Sequence, residues 1–275
     1  MSDESENKIG AWQPLTFKGV SRFARASLGR LFLAQLVVAS TTAIVVVWFL
    51  AIGWMSVVDR AISQTKAGAA IERGRLVWPG GQAQRLAESS FIEFIVSPGG
   101  DQGIGQTADL QIELGAEELR IRSLFGYLAL PYSTRFVSLG PEDVAASWGA
   151  WKHPLVATVG GFTVVWLLFV WFVLASIYSV PALLFGFYAN RPTSFGERFK
   201  LSAAALLPAA LLFDAALLLY AVGQLTLVGL AVANVLHIVV GWAYVIIAML
   251  QLPTVAAATG NPFSKTTGAG GRRPK

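Results

Sequence analysis

Residues 201–222 and 227–250 form two apolar runs of 22 and 24 residues, separated only by Gly223, Gln224, Leu225 and Thr226. About 20 apolar residues in a helix cross the ~30 Å of a bilayer's hydrocarbon, so each run reads as a membrane span. Four residues permit only a tight turn, which predicts two antiparallel helices in contact. Such a hairpin places Asp214 and His237, the one acid and the one histidine of the spans, at the same depth. Asn234 lies one helical turn from His237 and is a third polar candidate. Two readings compete here. Intramembrane ionisable groups are costly and often carry protons or ions; equally, a hydrogen bond between two helices fixes their register. Gly229, Ala233, His237 and Gly241 recur every four residues, while Ala210, Asp214 and Ala221 share a face of the preceding helix. Small residues at this spacing allow close helix contact.

Two further apolar runs precede this pair. Residues 31–58 form an apolar stretch too long for a signal-peptide core, which predicts a retained first span. Residues 154–178 predict a second. Apolar character continues to residue 188, and Pro181 is expected to break the helix and leave an interfacial segment at 182–188 before the charged connector 190–200. Trp54, Trp148 and Trp151 suit an aromatic belt at one interface. Before the first span, Lys18, Arg22, Arg25 and Arg30 alternate with Phe17, Val20, Ala24, Leu28 and Leu31, the pattern of a basic amphipathic helix at a membrane surface over 14–31. The same residues also serve as the plain basic flank of a first span. Residues 1–9 and 261–275 have the composition of disordered ends.

Between the first two spans the period changes. Residues 91–96 read as a strand, and 109–114 and 119–123 alternate as strands, with a candidate hairpin turn at 115–118. Residues 97–105 (SPGGDQGIG) read as a flexible hairpin connection; no helix follows them to make a phosphate site. The first helix is expected to continue through 59–73, and Pro141 with Glu142 and Asp143 opens a short helix. The predicted fold is thus an α-helical integral membrane protein with four spans and a small α+β domain, residues 59–152, inserted between the first and second.

Composition sharpens this picture. The chain is 55% hydrophobic and 13% charged, far from soluble averages. Its net charge of +5 is spread without a nucleic-acid motif, so nucleic acid is excluded as a partner. The absence of cysteine removes disulfides, thiolate metal sites and cysteine nucleophiles. Lys and Arg number five before the first span, three in the 190–200 connector and four after residue 250, against none in the 223–226 turn. The positive-inside rule then puts both termini in the cytoplasm and residues 59–152 outside it, in a bacterial inner membrane. The absence of glycosylation acceptors agrees with a bacterial source. No hydrolase, zincin, Walker-type or dinucleotide motif is present, and no catalytic residue, metal ligand or cofactor is assigned. The expected function is non-enzymatic: an extracytoplasmic domain that binds or stabilises a membrane-protein partner, or a second copy, at the bilayer. The alternative is a small transporter or channel subunit that uses Asp214 and His237 for proton coupling.

Overall fold

The computed structural model describes residues 13–99 and 104–254. The expected disordered ends, 1–9 and 261–275, lie outside the described residues. Among the described residues four helical segments are long and apolar enough to cross a membrane: Leu28–Ser63, Pro141–Tyr188, Phe195–Ala221 and Leu227–Leu250. Between the first and second of these in the chain lie eight strands.

The first apolar run comprises α2 (Leu28–Leu50), a π-helical turn (Ala51–Met55) and α3 (Ser56–Ser63). Helix ends at Ser63, short of the expected residue 73, and the chain turns into the first strand. The basic segment 14–31 is not one helix. Thr16 caps a short α1 (Phe17–Phe23), and Ser27 caps α2, its hydroxyl accepting from Arg30 N. A serine at this position satisfies free N–H groups of a new helix, so the break costs little. α1 does not merely lie flat. It rests against the last two helices, with Val20 and Phe23 buried and Phe17 4.4 Å from Tyr244 between ring centres.

α4 (Pro141–Tyr188) runs unbroken for 48 residues through Pro154 and Pro181. The break expected at Pro181 does not form. In an apolar surrounding, water cannot compete for the backbone, and neighbouring helices support a proline-bearing turn. At ~1.5 Å per residue α4 is about 72 Å long, more than twice a bilayer's hydrocarbon. Its first turns therefore project beside the strands, where Asp59 of α3 accepts from Trp148 Nε1 at 2.7 Å and Lys152 Nζ at 2.6 Å.

α5 (Phe195–Ala221) is the centre of the bundle and touches α2, α4 and α6 (Leu227–Leu250). A capping box between Ser194 and Glu197 opens it. Ala203, Ala204 and Ala205 are at most 1% exposed, and small side chains at this position let neighbouring backbones approach. Gly241 of α6 faces Ala209 and Leu206 of α5, so the small-residue seam exists there; Gly229 instead faces its own turn residues Leu225 and Thr226.

The strands form two sheets. β1 (Ala70–Glu72) pairs with β2 (Arg75–Val77) and with β8 (Val137–Ser138). Arg73 and Gly74, both at positive φ, make the two-residue turn between β1 and β2. The second sheet has the order β3 (Gln84–Glu88), β4 (Ile92–Ser97), β5 (Leu110–Gly115), β6 (Glu118–Ser123), β7 (Gly126–Pro131). The turn expected at 115–118 does join β5 to β6. The hairpin expected at 97–105 does not exist: β4 and β5 are parallel, so the chain after β4 must return to the start of the sheet before pairing.

The sheet sits on one end of the bundle through specific contacts. Phe91 meets Phe49 at 5.1 Å and Tyr220 at 4.9 Å between ring centres. Ser89 donates to Gly53 O at 3.2 Å, and Tyr220 Oη donates to Asp109 Oδ2 at 2.6 Å.

Candidate functional site

Alternation sends every second residue of β4 and β5 to the same face. Phe94 and Leu114 fall on an apolar face of the sheet, and α3 with the projecting turns of α4 stands against that side. The three elements enclose an open cavity of about 380 Å³, the scale of a small-ligand pocket. Val58, Ala61 and Ile62 come from α3; Val144, Trp148 and Trp151 from α4; Trp78, Leu86 and Leu139 complete the wall. Of the lining residues only Thr65 and Ser147 carry hydroxyls. Trp151 is 70% exposed at the cavity's edge, whereas the indole N–H of buried Trp78 has no acceptor among the described residues. The arrangement suits an apolar body. Two of the three tryptophans expected as an aromatic belt, Trp148 and Trp151, line this cavity. Missing from the sequence reading was the cavity itself, because strand β3 and the register that brings Leu86 and Phe94 to α3 carry no strong local pattern.

Asp214 of α5 is 4% exposed. Its Oδ2 accepts from Thr42 Oγ1 of α2 at 2.9 Å, and Oδ1 has no partner among the described residues. Thr42 Oγ1 is also 3.2 Å from Val38 O, and its single proton serves one acceptor at a time. A protonated Asp214 could itself donate to Thr42. His237 is half-buried, and its ring lies 5.3 Å from that of Phe213. The two helices therefore do meet near the expected level, but one residue of helix rotation, ~100°, turns Asp214 away from α6 toward α2. Asn234 is exposed. Among the described residues no hydrogen bond joins the side chains of Asp214, His237 and Asn234 to one another. Thr42 had a faint signal in sequence, a Ser-Thr-Thr run at 40–42 in an otherwise apolar span.

The basic candidates are distributed over two elements. Lys18 is exposed and Arg22 half-buried on α1, Arg25 lies exposed in the break, and Arg30 is exposed in the first turn of α2. They surround the bundle end opposite the sheets, where Lys200 Nζ donates to Ala26 O at 2.8 Å.

The sheet's other face carries polar side chains. Glu93, fully buried, accepts from Thr107 N at 2.9 Å and Thr107 Oγ1 at 2.8 Å, with Arg85 Nε 3.2 Å away as an ion pair. Glu113 lies 3.4 Å from Arg120 and 3.3 Å from Arg122. The hydrogen bond from Arg120 Nε to Glu118 raises the guanidinium's affinity for its proton. Burial pushes the Tyr132 hydroxyl above the ordinary tyrosine range, while it donates to Gly115 O at 3.1 Å. These acids are matched by cations and hydroxyls of the same face. Among the described residues no three His, Asp or Glu side chains gather as a metal site. Comparisons of this chain with protein-family models, characterised proteins and solved structures find no match.

Proposed function

We propose that this is a non-enzymatic, four-span protein of a bacterial inner membrane whose extracytoplasmic α+β domain binds and stabilises a membrane partner. The cavity between α3, α4 and the sheet carries this reading, because a wall that is apolar but for Thr65 and Ser147 fits a hydrophobic segment. Anchoring of both walls in spanning helices would hold it close to the bilayer, where such segments emerge. The distribution of Lys and Arg supports the orientation, with the sheets outside and both termini in the cytoplasm.

The test is gentle purification from native membranes of the wild type and of Ala61→Trp, which fills the cavity, followed by mass spectrometry and sizing. A stoichiometric membrane protein present with the wild type and lost from Ala61→Trp is the expected result. A homo-oligomer of the same composition in both contradicts it.

A second reading, proton coupling in a small transporter or channel subunit, is favoured by one observation: the buried Oδ1 of Asp214 has no partner among the described residues. An Asp214→Asn protein that keeps its abundance but loses a pH-dependent flux supports that reading. Unchanged flux removes it.

A further inference from the structure

We infer that the tip of the β6–β7 hairpin, Leu124 and Phe125, inserts into the lipid surface beside the bundle. Ser123 pairs with Gly126, so Leu124 and Phe125 are the whole loop. Two-residue hairpin loops call for Asn, Asp or Gly to adopt their backbone shape. This one carries two large apolar side chains, 63% and 71% exposed. Turn geometry does not explain them.

Their level in the molecule does. Counting ~20 residues, one hydrocarbon thickness, from Arg30 reaches Leu50, and from Lys200 reaches Tyr220. Phe49 and Tyr220 are the residues that hold Phe91, and Tyr220 also holds Asp109. The start of β4 and the start of β5 are therefore seated at the end of the apolar layer. Register then carries this level across the sheet: Ile92 opposes Leu110, Leu110 opposes Ser123, and Ser123 opposes Gly126. The tip projects one step beyond that row, toward the bilayer.

Its surroundings fit a lipid boundary. Residues 123–134 (SLFGYLALPYST) contain no charge. Just above the tip, Tyr127 is 58% exposed, and Arg122 lies over its ring at 5.7 Å. An aromatic with a basic neighbour is the composition of a headgroup layer. The occupant is thus phospholipid, with the acyl region meeting Leu124 and Phe125.

The chain has no cysteine, so single-cysteine variants report one place each. Phe125→Cys, Leu124→Cys, Glu117→Cys at the opposite end of the sheet, and Phe162→Cys on the exposed face of α4 would each carry an environment-sensitive fluorophore. The full-length protein is placed in nanodiscs of phosphatidylcholine and phosphatidylglycerol, with nitroxide on the acyl chains or iodide in the water. Labels at 124 and 125 are expected to be quenched by the lipid nitroxide to the extent seen at 162 and to resist iodide, with 117 behaving the opposite way. Iodide quenching at 124 and 125 like that at 117 overturns the inference, as does protection from both quenchers, which means that protein covers the tip. The inference rests on the spanning reading; a label at 162 that does not meet lipid removes that reading too, so the two failures are distinguishable.

Discussion

Glu93 in the sheet and Asp214 in the helix bundle are both buried carboxyl groups, 0% and 4% exposed, and their surroundings differ in kind. Glu93 has a partner for each oxygen and a guanidinium within 3.2 Å. Among the described residues Asp214 has one neutral hydroxyl on one oxygen and no partner on the other. The sheet has engaged both oxygens of its acid, although Oε1 of neighbouring Gln111 has no partner among the described residues, so Glu93 contributes to architecture. The bundle has left its acid incomplete, so Asp214 keeps a free acceptor and loses little if changed. Burial alone would have ranked the two alike; the partner inventory separates them.

The largest test of this contrast lies in the sheet. Arg85→Ala leaves a buried carboxylate without its cation and is expected to cost about 2–3 kcal/mol. Hydrogen exchange at the β3 and β4 amides of the full-length protein should accelerate accordingly, and unchanged protection would mean that the ion pair is incidental. In the bundle, Thr42→Val removes the one partner Asp214 has among the described residues and should cost about 1 kcal/mol, the scale of one interhelical hydrogen bond. Asp214→Asn keeps an acceptor for Thr42 and should cost less. Thermal inactivation of folded protein in nanodiscs gives the order, and a reversal of that order breaks the comparison.

A smaller effect concerns Tyr132. Burial raises its folded-state pKa above the unfolded value. The folded state thus holds the proton more tightly, so this contribution is full below about pH 10 and declines as pH rises through the folded value. Tyr132→Phe should flatten the loss of sheet protection above pH 10 while changing it little at neutral pH. An identical alkaline profile in both proteins would place the sensitivity elsewhere.

The bundle was legible because its signals are long and local. Runs of more than 20 apolar residues name their own helices, and the four-residue turn at 223–226 fixes the pairing of α5 with α6. Helix rotation was not legible: a depth argument brings His237 to Phe213 and misses Asp214 by one residue, about 100° of arc. Pro181 misled because proline rules learned in water overstate its effect in an apolar surrounding. In the sheet domain, the alternation of DLQIEL and LRIRS showed β5 and β6, whereas β1, β2 and β8 have three residues or fewer. Strands that short carry no period. The parallel pairing of β4 with β5 is set by side chains far apart in sequence, and no glycine-rich stretch could announce it. The cavity depends on all of these at once, on the bend after Ser63 and on α4 continuing outward from its span. It was therefore the least readable feature, although Trp148 and Trp151 were singled out for another reason.

The most direct test of the proposed function is site-specific photo-cross-linking in living cells from Ser147, which lines the cavity. A photoreactive residue there should give one discrete adduct with a membrane protein, abolished by Ala61→Trp in the same chain, while the same residue at Glu117 gives none. A diffuse ladder identical from both positions, or an adduct that persists when the cavity is filled, would contradict a binding role for this site.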